Sequence, residues 1–319
     1  MGADGGHVGL VDLAGDNPQI SLVISDKGKD GGEKKQLQIV SNTLSERLGF
    51  DELYSRDVLR GTMAELMGTA VMVYMMDNII ISSAKSDIGN LAMAILLGLT
   101  LAIILITLFP ISGGHINPAI SLSAALLGHI SLSRAFMYIL AQCVGAAFGA
   151  LSLKAVISTE DADHFSLVGC TITEIKPGPD GPVKIGLGLA QAFWLETFFT
   201  FSVLLTALGI AFNPRLMKSF GAGLVFPIIG LIVALVIFAS TTVTGQKGYA
   251  GVGLNPARCF GAALVRGGHL WDGHWIFWIG PLIACFGFYF YSKAVIDEES
   301  QAQVRKHDFL GLIKALIRR

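Results

Sequence analysis

Ser112-Gly113-Gly114-His115-Ile116-Asn117-Pro118-Ala119 is answered later in the chain by Gly253-Leu254-Asn255-Pro256-Ala257-Arg258. Each Asn-Pro-Ala reads as a helix start. Asn is a favoured N-cap, and Pro at the first helical position gives up an N–H that has no helical partner there anyway. Gly113 and Gly114 before one box, and Gly251 and Gly253 before the other, permit the tight backbone leading into it. The apolar stretches that follow, 119–127 and 257–265, are too short to cross a bilayer, which takes about 20 residues. One such box is common in turns; two in the same slot of an internal repeat are a design.

The repeat is visible in hydropathy. Segments near 60–82, 90–109, 134–157, 187–212, 221–243 and 274–296 are long and apolar enough to span. Span, span, Gly-rich loop, box and span follow one another twice, and each half opens with a glutamate inside its first span, Glu65 and Glu196. Three spans per half turn the second half upside down relative to the first, the inverted-repeat plan with short broken helices meeting at the midplane. The expected fold is an all-α membrane protein of six transmembrane helices plus two re-entrant half-helices. Two half-helix N-termini facing each other each carry about half a positive charge, which repels protons and cations and leaves neutral molecules alone. The amides of Asn117 and Asn255 would then donate hydrogen bonds to a passing oxygen.

Composition agrees. Of 319 residues 52% are apolar and 15% charged, and the charges gather before Arg60, between Ser158 and Lys184, and after Lys293. A net charge of −1 gives no nucleic-acid footprint. Cys143, Cys170, Cys259 and Cys285 are widely spaced, with no CxxC or neighbouring His to suggest zinc; the three in apolar or re-entrant segments read as small buried hydrophobes. Nothing suggests a cofactor, and no nucleophile–base pair at the boxes suggests an enzyme. Residues 1–57 form a polar tail without an early apolar region, largely disordered over 1–40, with 42–57 able to form a short interfacial helix; span one then serves as the membrane address. The halves are 58–160 and 187–296, separated by a loop at 161–186. The tail 297–319 places Phe309, Leu310, Ile313, Leu316 and Ile317 opposite Lys306, Lys314 and Arg318, an amphipathic stripe suited to a lipid surface. Basic residues before span one, in 212–220 and after span six put both termini in the cytoplasm and 161–186 outside.

The two box loops resemble the signature loops of the aquaporins, the major intrinsic proteins, over residues 58–296. Cys259 directly after Asn-Pro-Ala-Arg, with Leu167-Val168-Gly169-Cys170-Thr171 in the third loop, is similar to the X intrinsic proteins of plants and some fungi, whose first box often varies where this chain has Ala119. The resemblance implies a homotetramer in the plasma membrane with one pore per subunit. It implies that Glu65 and Glu196 accept loop N–H groups, that His115 lines the cytoplasmic vestibule or braces its loop, and that Arg258 belongs to an outer selectivity filter. An Arg in a constriction is a permanent charge with five donors. Counting by the family's offsets gives Leu97 from span two and Val252 from the second loop. Span five offers Ile237 if aligned on Gly230, Phe238 on Pro227, or Val243 on Asn255. No histidine lies between His164 and His269, so span five lacks the histidine of water-selective filters, and Leu97 replaces their Phe. Glycerol facilitators place Asp where this chain has Cys259, while Phe277-Trp278 follows the aquaporin pattern. The expected activity is passive passage of water and small uncharged solutes, glycerol, boric acid, hydrogen peroxide or urea, with a mainly water-selective channel as the alternative. A secondary transporter would need paired ionisable residues near the midplane, and Glu65, Glu196 and Arg258 are those available.

Overall fold

The computed structural model describes residues 20–21, 40–41, 48–178 and 181–295. Its long helices are α1 (Arg56–Ser86), α2 (Gly89–Ser112), α4 (Leu132–Val156), α5 (Leu189–Ala211), α6 (Ala222–Thr242) and α8 (Ile276–Val295). Two short ones, α3 (Pro118–Leu126) and α7 (Pro256–Arg266), sit between the second and third long helices of each half. All six long helices pass the length and hydropathy needed to cross a membrane. The first extends past the apolar run at both ends because polar residues terminate it. The Ser55 hydroxyl accepts the Val58 N–H, and Asp87 closes the other end in a left-handed turn. In α5 the helix widens into a π turn over Leu204–Leu208.

Small residues let the helices touch through their backbones. Gly98 of α2 faces the Gly230 carbonyl of α6, and Gly230 faces that of Gly98, so a Cβ on either would collide with the other. Gly145 and Gly149 of α4 lie in the same way on the Leu66 and Ala70 carbonyls of α1. Close backbone approach of this kind is what drives helix association where lipid removes the usual hydrophobic force. The outward faces carry Leu99, Ile103, Phe148, Phe198, Leu231 and Phe290, all well exposed, as a membrane-facing surface requires.

Three features depart from the sequence expectations. The third loop, expected only as a loop at 161–186, carries regular structure: a short helix (Thr159–His164) leads to an antiparallel hairpin, β1 (Thr173–Gly178) with β2 (Gly181–Gly186). Between them Ser166, Leu167 and Val168 all have positive φ, at 49°, 50° and 53°. Of the expected helix at 42–57, residues 42–47 lie outside the described residues; Leu48 is helical, a 3₁₀ turn follows at Phe50–Glu52, and Arg56 and Asp57 already belong to α1. Of the N-terminal tail, Ile20–Ser21 pair with Val40–Ser41. The stripe from Phe309 to Arg318 lies outside the described residues.

Candidate functional site

The two boxes meet head to head. Asn117 caps α3 by accepting the Ala119 N–H (2.9 Å), and Asn255 caps α7 by accepting those of Ala257 (3.1 Å) and Arg258 (3.4 Å). Pro118 and Pro256 occupy the first helical positions. The remaining end of each amide crosses to the other half: Asn117 Nδ2 donates to the Leu254 carbonyl (3.0 Å) and Asn255 Nδ2 to the Ile116 carbonyl (2.8 Å). The amides are therefore not wholly free for a permeant, since one N–H of each is used to clasp the boxes together.

The clasp requires unusual backbone. Ile116 and Leu254, each just before its Asn, hold positive φ at 41° and 58°. For a β-branched residue this is a true outlier, tolerated where surrounding bonds over-determine it. Those bonds come from the two buried glutamates. Glu65 Oε1 accepts the His115 N–H (2.9 Å) and the Ser112 hydroxyl (2.6 Å); Oε2 accepts the Ile116 N–H and Gln142 Nε2 (2.7 Å). Glu196 accepts the Gly253 and Leu254 N–H groups, both at 2.7 Å. The left-handed turn points each residue's N–H at a carboxylate and its carbonyl at the opposite Asn. His115, nearly buried, both lines the cavity and braces its loop, through Nδ1 to the Ser121 hydroxyl (3.1 Å) and an edge contact with Tyr138.

A cavity of about 510 Å³ passes the boxes, from Phe212 and Phe226 on the side of the chain termini to Glu174 and Tyr249 on the other. Both halves wall it with equivalent positions: Met72, Met76 and Ile80 of α1, and Val203, Ala207 and Ala211 of α5, each set the same distances after its glutamate. Leu97, Ile237, Val252 and Arg258 line it together. Of the three span-five alternatives, Ile237 reaches the cavity. Phe238 lies one residue round the helix and does not line it, and Val243, at the C-cap of α6, is 63% exposed on the outside. The Gly98–Gly230 crossing accounts for this orientation, because it fixes α6 against α2.

Arg258 is where the sequence reading needs most correction. Its Nη2 donates to the Val168 carbonyl (3.1 Å) and lies 3.4 Å from Asp77 Oδ1, and its Nη1 lies 3.4 Å from Cys170 Sγ. Asp77, in α1 and 1% exposed, is a buried carboxylate that the sequence reading overlooked when it counted Glu65, Glu196 and Arg258 as the available ionisable groups. The signal was there: an acid inside a span is costly and asks for a partner. Cys259 is not a small buried hydrophobe but forms a disulfide with Cys170 that ties the third loop to α7. Cys143 and Cys285 are free, and Cys285 is buried. Outside the spans, burial against Phe212 (ring centroids 3.9 Å apart) lowers the His129 pKa to about 4, and partial burial beside Arg266 lowers that of His269.

Comparison with known proteins places this architecture. Residues 52–291 match the major intrinsic protein family. Over 257 residues the chain is 32% identical to a probable aquaporin TIP-type alpha of Phaseolus vulgaris, covering 78% of this chain and 90% of that one. It is 31% identical over 258 residues to aquaporin PIP2-1 of Arabidopsis thaliana, covering 77% and 84%. Among solved structures, the aquaglyceroporin from Plasmodium falciparum superposes with a TM-score of 0.59 at 20% identity, covering 77% of this chain and 99% of that one, a likeness of fold.

Proposed function

The chain belongs to the major intrinsic protein family of membrane channels, and on that premise we propose that it conducts small uncharged solutes, glycerol, boric acid, hydrogen peroxide and urea, together with water, while excluding protons and ions. The observation that carries the reading is that four of the residues lining the cavity are Leu97, Ile237, Val252 and Arg258. Leu97, Ile237 and Val252 offer no hydrogen bond, and Arg258 alone is charged. We assign these four as the selectivity filter. A water molecule stripped of its partners there loses on the order of 1–3 kcal/mol where they are not replaced. A solute with some carbon and a few hydroxyls rests its carbon on the aliphatic walls and turns its oxygens to the guanidinium.

Ion exclusion is assigned to the facing N-termini of α3 and α7 at Asn117-Pro118-Ala119 and Asn255-Pro256-Ala257, whose dipoles oppose a cation at the midplane. Glu65 and Glu196 act as scaffold for the two loops, with His115 at the inner vestibule. Both termini face the cytoplasm. The Cys170–Cys259 bond, on the face opposite the termini, supports that orientation, since disulfides persist on the oxidising side. The exposed apolar helix faces suit a homotetramer in the plasma membrane, and the Cys170 and Cys259 sequence contexts favour the X intrinsic protein subfamily.

Stopped-flow light scattering on proteoliposomes tests the solute class. Glycerol and boric acid should enter faster than through protein-free vesicles, with modest water permeability and flux linear in the gradient. Fast water flux with no glycerol or boric acid entry would establish the water-selective alternative instead. Saturation with proton coupling would point to a transporter.

A further inference from the structure

We propose that Asp77 is a specificity-determining residue of this pore: it holds the Arg258 guanidinium against α1 and offsets its charge, so that the filter is wider and less positive than Arg258 alone would make it. The proposal rests on the filter assigned above.

The geometry is specific. Met72, Met76 and Ile80 form the strip of α1 that faces the lumen. Asp77 follows Met76, about 100° further round the helix, and does not line the cavity. It therefore reaches Arg258 from behind the wall, not from within the pore. The guanidinium has two oxygen acceptors, Asp77 Oδ1 at 3.4 Å from that direction and Val168 O of the third loop at 3.1 Å, and leaves 18% of its side chain exposed. Nη1 lies against Cys170 Sγ at 3.4 Å, so the disulfide closes the remaining side. A cation gripped in this way is displaced from the axis, with part of its donor fork spent on protein.

The repeat supplies an internal control. Asp77 stands twelve residues after Glu65, and the residue twelve after Glu196 is Leu208. The first half carries an acid where its twin carries an aliphatic side chain, and that acid faces the one arginine at the pore. The Glu196 oxygens are already engaged by the Gly253 and Leu254 N–H groups, and the ion-pair distance to Arg258 belongs to Asp77. Two charges this deep are retained only as a pair, because removing one strands the other.

Two consequences follow for transport. Without Asp77 the guanidinium is free to swing toward the axis, narrowing the ring and restoring its full charge. Without Arg258, the Asp77 carboxylate is left unpaired beside the lumen and attracts cations.

The test uses proteoliposomes of the full chain with Asp77→Asn, Arg258→Gln and the paired variant Asp77→Asn/Arg258→Gln. Asp77→Asn should cut glycerol and boric acid entry by about tenfold, ~1.4 kcal/mol on the barrier, with a smaller change in water flux. Arg258→Gln should leak potassium and sodium, and the paired variant should leak about tenfold less. The paired variant strands no charge and so decides the matter if Asp77→Asn fails to reach the membrane. An unchanged glycerol-to-water ratio in Asp77→Asn, or equal cation leak in Arg258→Gln and the paired variant, overturns the assignment. The cation arm requires no solute flux, so a wild type closed to glycerol and boric acid would sink the solute reading while leaving this one to be judged separately.

Discussion

The two box loops solve one problem with different materials. Each must hold a left-handed residue, Ile116 or Leu254, in the middle of a membrane, and each uses a buried glutamate to do so. Around the first box the glutamate is the hub of a side-chain network: Glu65 collects the Ser112 hydroxyl and Gln142 amide as well as two backbone N–H groups, and Gln142 also reaches Ser121. Around the second, Glu196 takes the Gly253 and Leu254 N–H groups, and further restraint comes from the Cys170–Cys259 bond and the Arg258 contacts to Val168 and Asp77. The first loop is locked by polar satisfaction. The second is locked from outside, by the third loop. Arg258 and the disulfide thus stand in one half of a nearly symmetric frame, while Asp77 and Leu97 reach them from the other.

If that contrast is right, the two glutamates should not be equivalent. Glu65→Ala strands two buried backbone N–H groups and two side-chain donors at roughly 1–3 kcal/mol each, and we expect little folded channel in detergent by size-exclusion and thermal unfolding. Glu196→Ala strands two N–H groups, while the disulfide and Arg258 still hold the loop, so it should yield folded protein with a lower Tm. Equal loss in both would dissolve the distinction between the two locks. Breaking the covalent part alone, with Cys170→Ser/Cys259→Ser, should lower stability by about 2–4 kcal/mol and leave the first half intact. Its clearest sign should be a changed glycerol-to-water ratio, because the loop carrying the Val168 carbonyl loses its anchor. A variant with unaltered selectivity would mean that Val168 and Asp77 position Arg258 unaided.

Leu97→Phe asks whether the filter lies where the two halves diverge. A ring at this position should narrow the passage and cut glycerol flux by about tenfold, equivalent to ~1.4 kcal/mol, with less effect on water. The smallest effect concerns the two histidines that follow the half-helices. His129 stacks on Phe212 and is held neutral by burial, its pKa lowered from 6.5 to about 4. A base with a depressed folded pKa contributes full stability above about pH 6.5 and loses it as the pH falls toward 4. Thermal unfolding of the wild type should therefore decline over that window more steeply than that of His129→Phe, which keeps the stack without the proton. His269, only partly buried against Ser166 and Arg266, is lowered in the same direction and should contribute a shallower slope.

Much of this was legible before any coordinates. Asn117-Pro118 and Asn255-Pro256 announce helix starts by local chemistry, and long uncharged runs announce spans because a bilayer tolerates little else. Glu65 and Glu196 stand out for the same reason, and two equal halves dictate an inverted repeat. These are properties of contiguous residues, or of one repeat laid against another. The choice among Ile237, Phe238 and Val243 was different, since rotation of α6 is set by its Gly230 contact with Gly98, not by counting along one helix. Likewise nothing singled out Asp77 until the fold brought it to Arg258 across 181 residues, and Cys259 looked like a small hydrophobe until it met Cys170 across 89. The sequence by itself determined the frame, because helix starts, spans and the repeat are written in local pattern and hydropathy. Only the tertiary structure decided what surrounds Arg258, because ion pairs and disulfides depend on where distant side chains arrive in space.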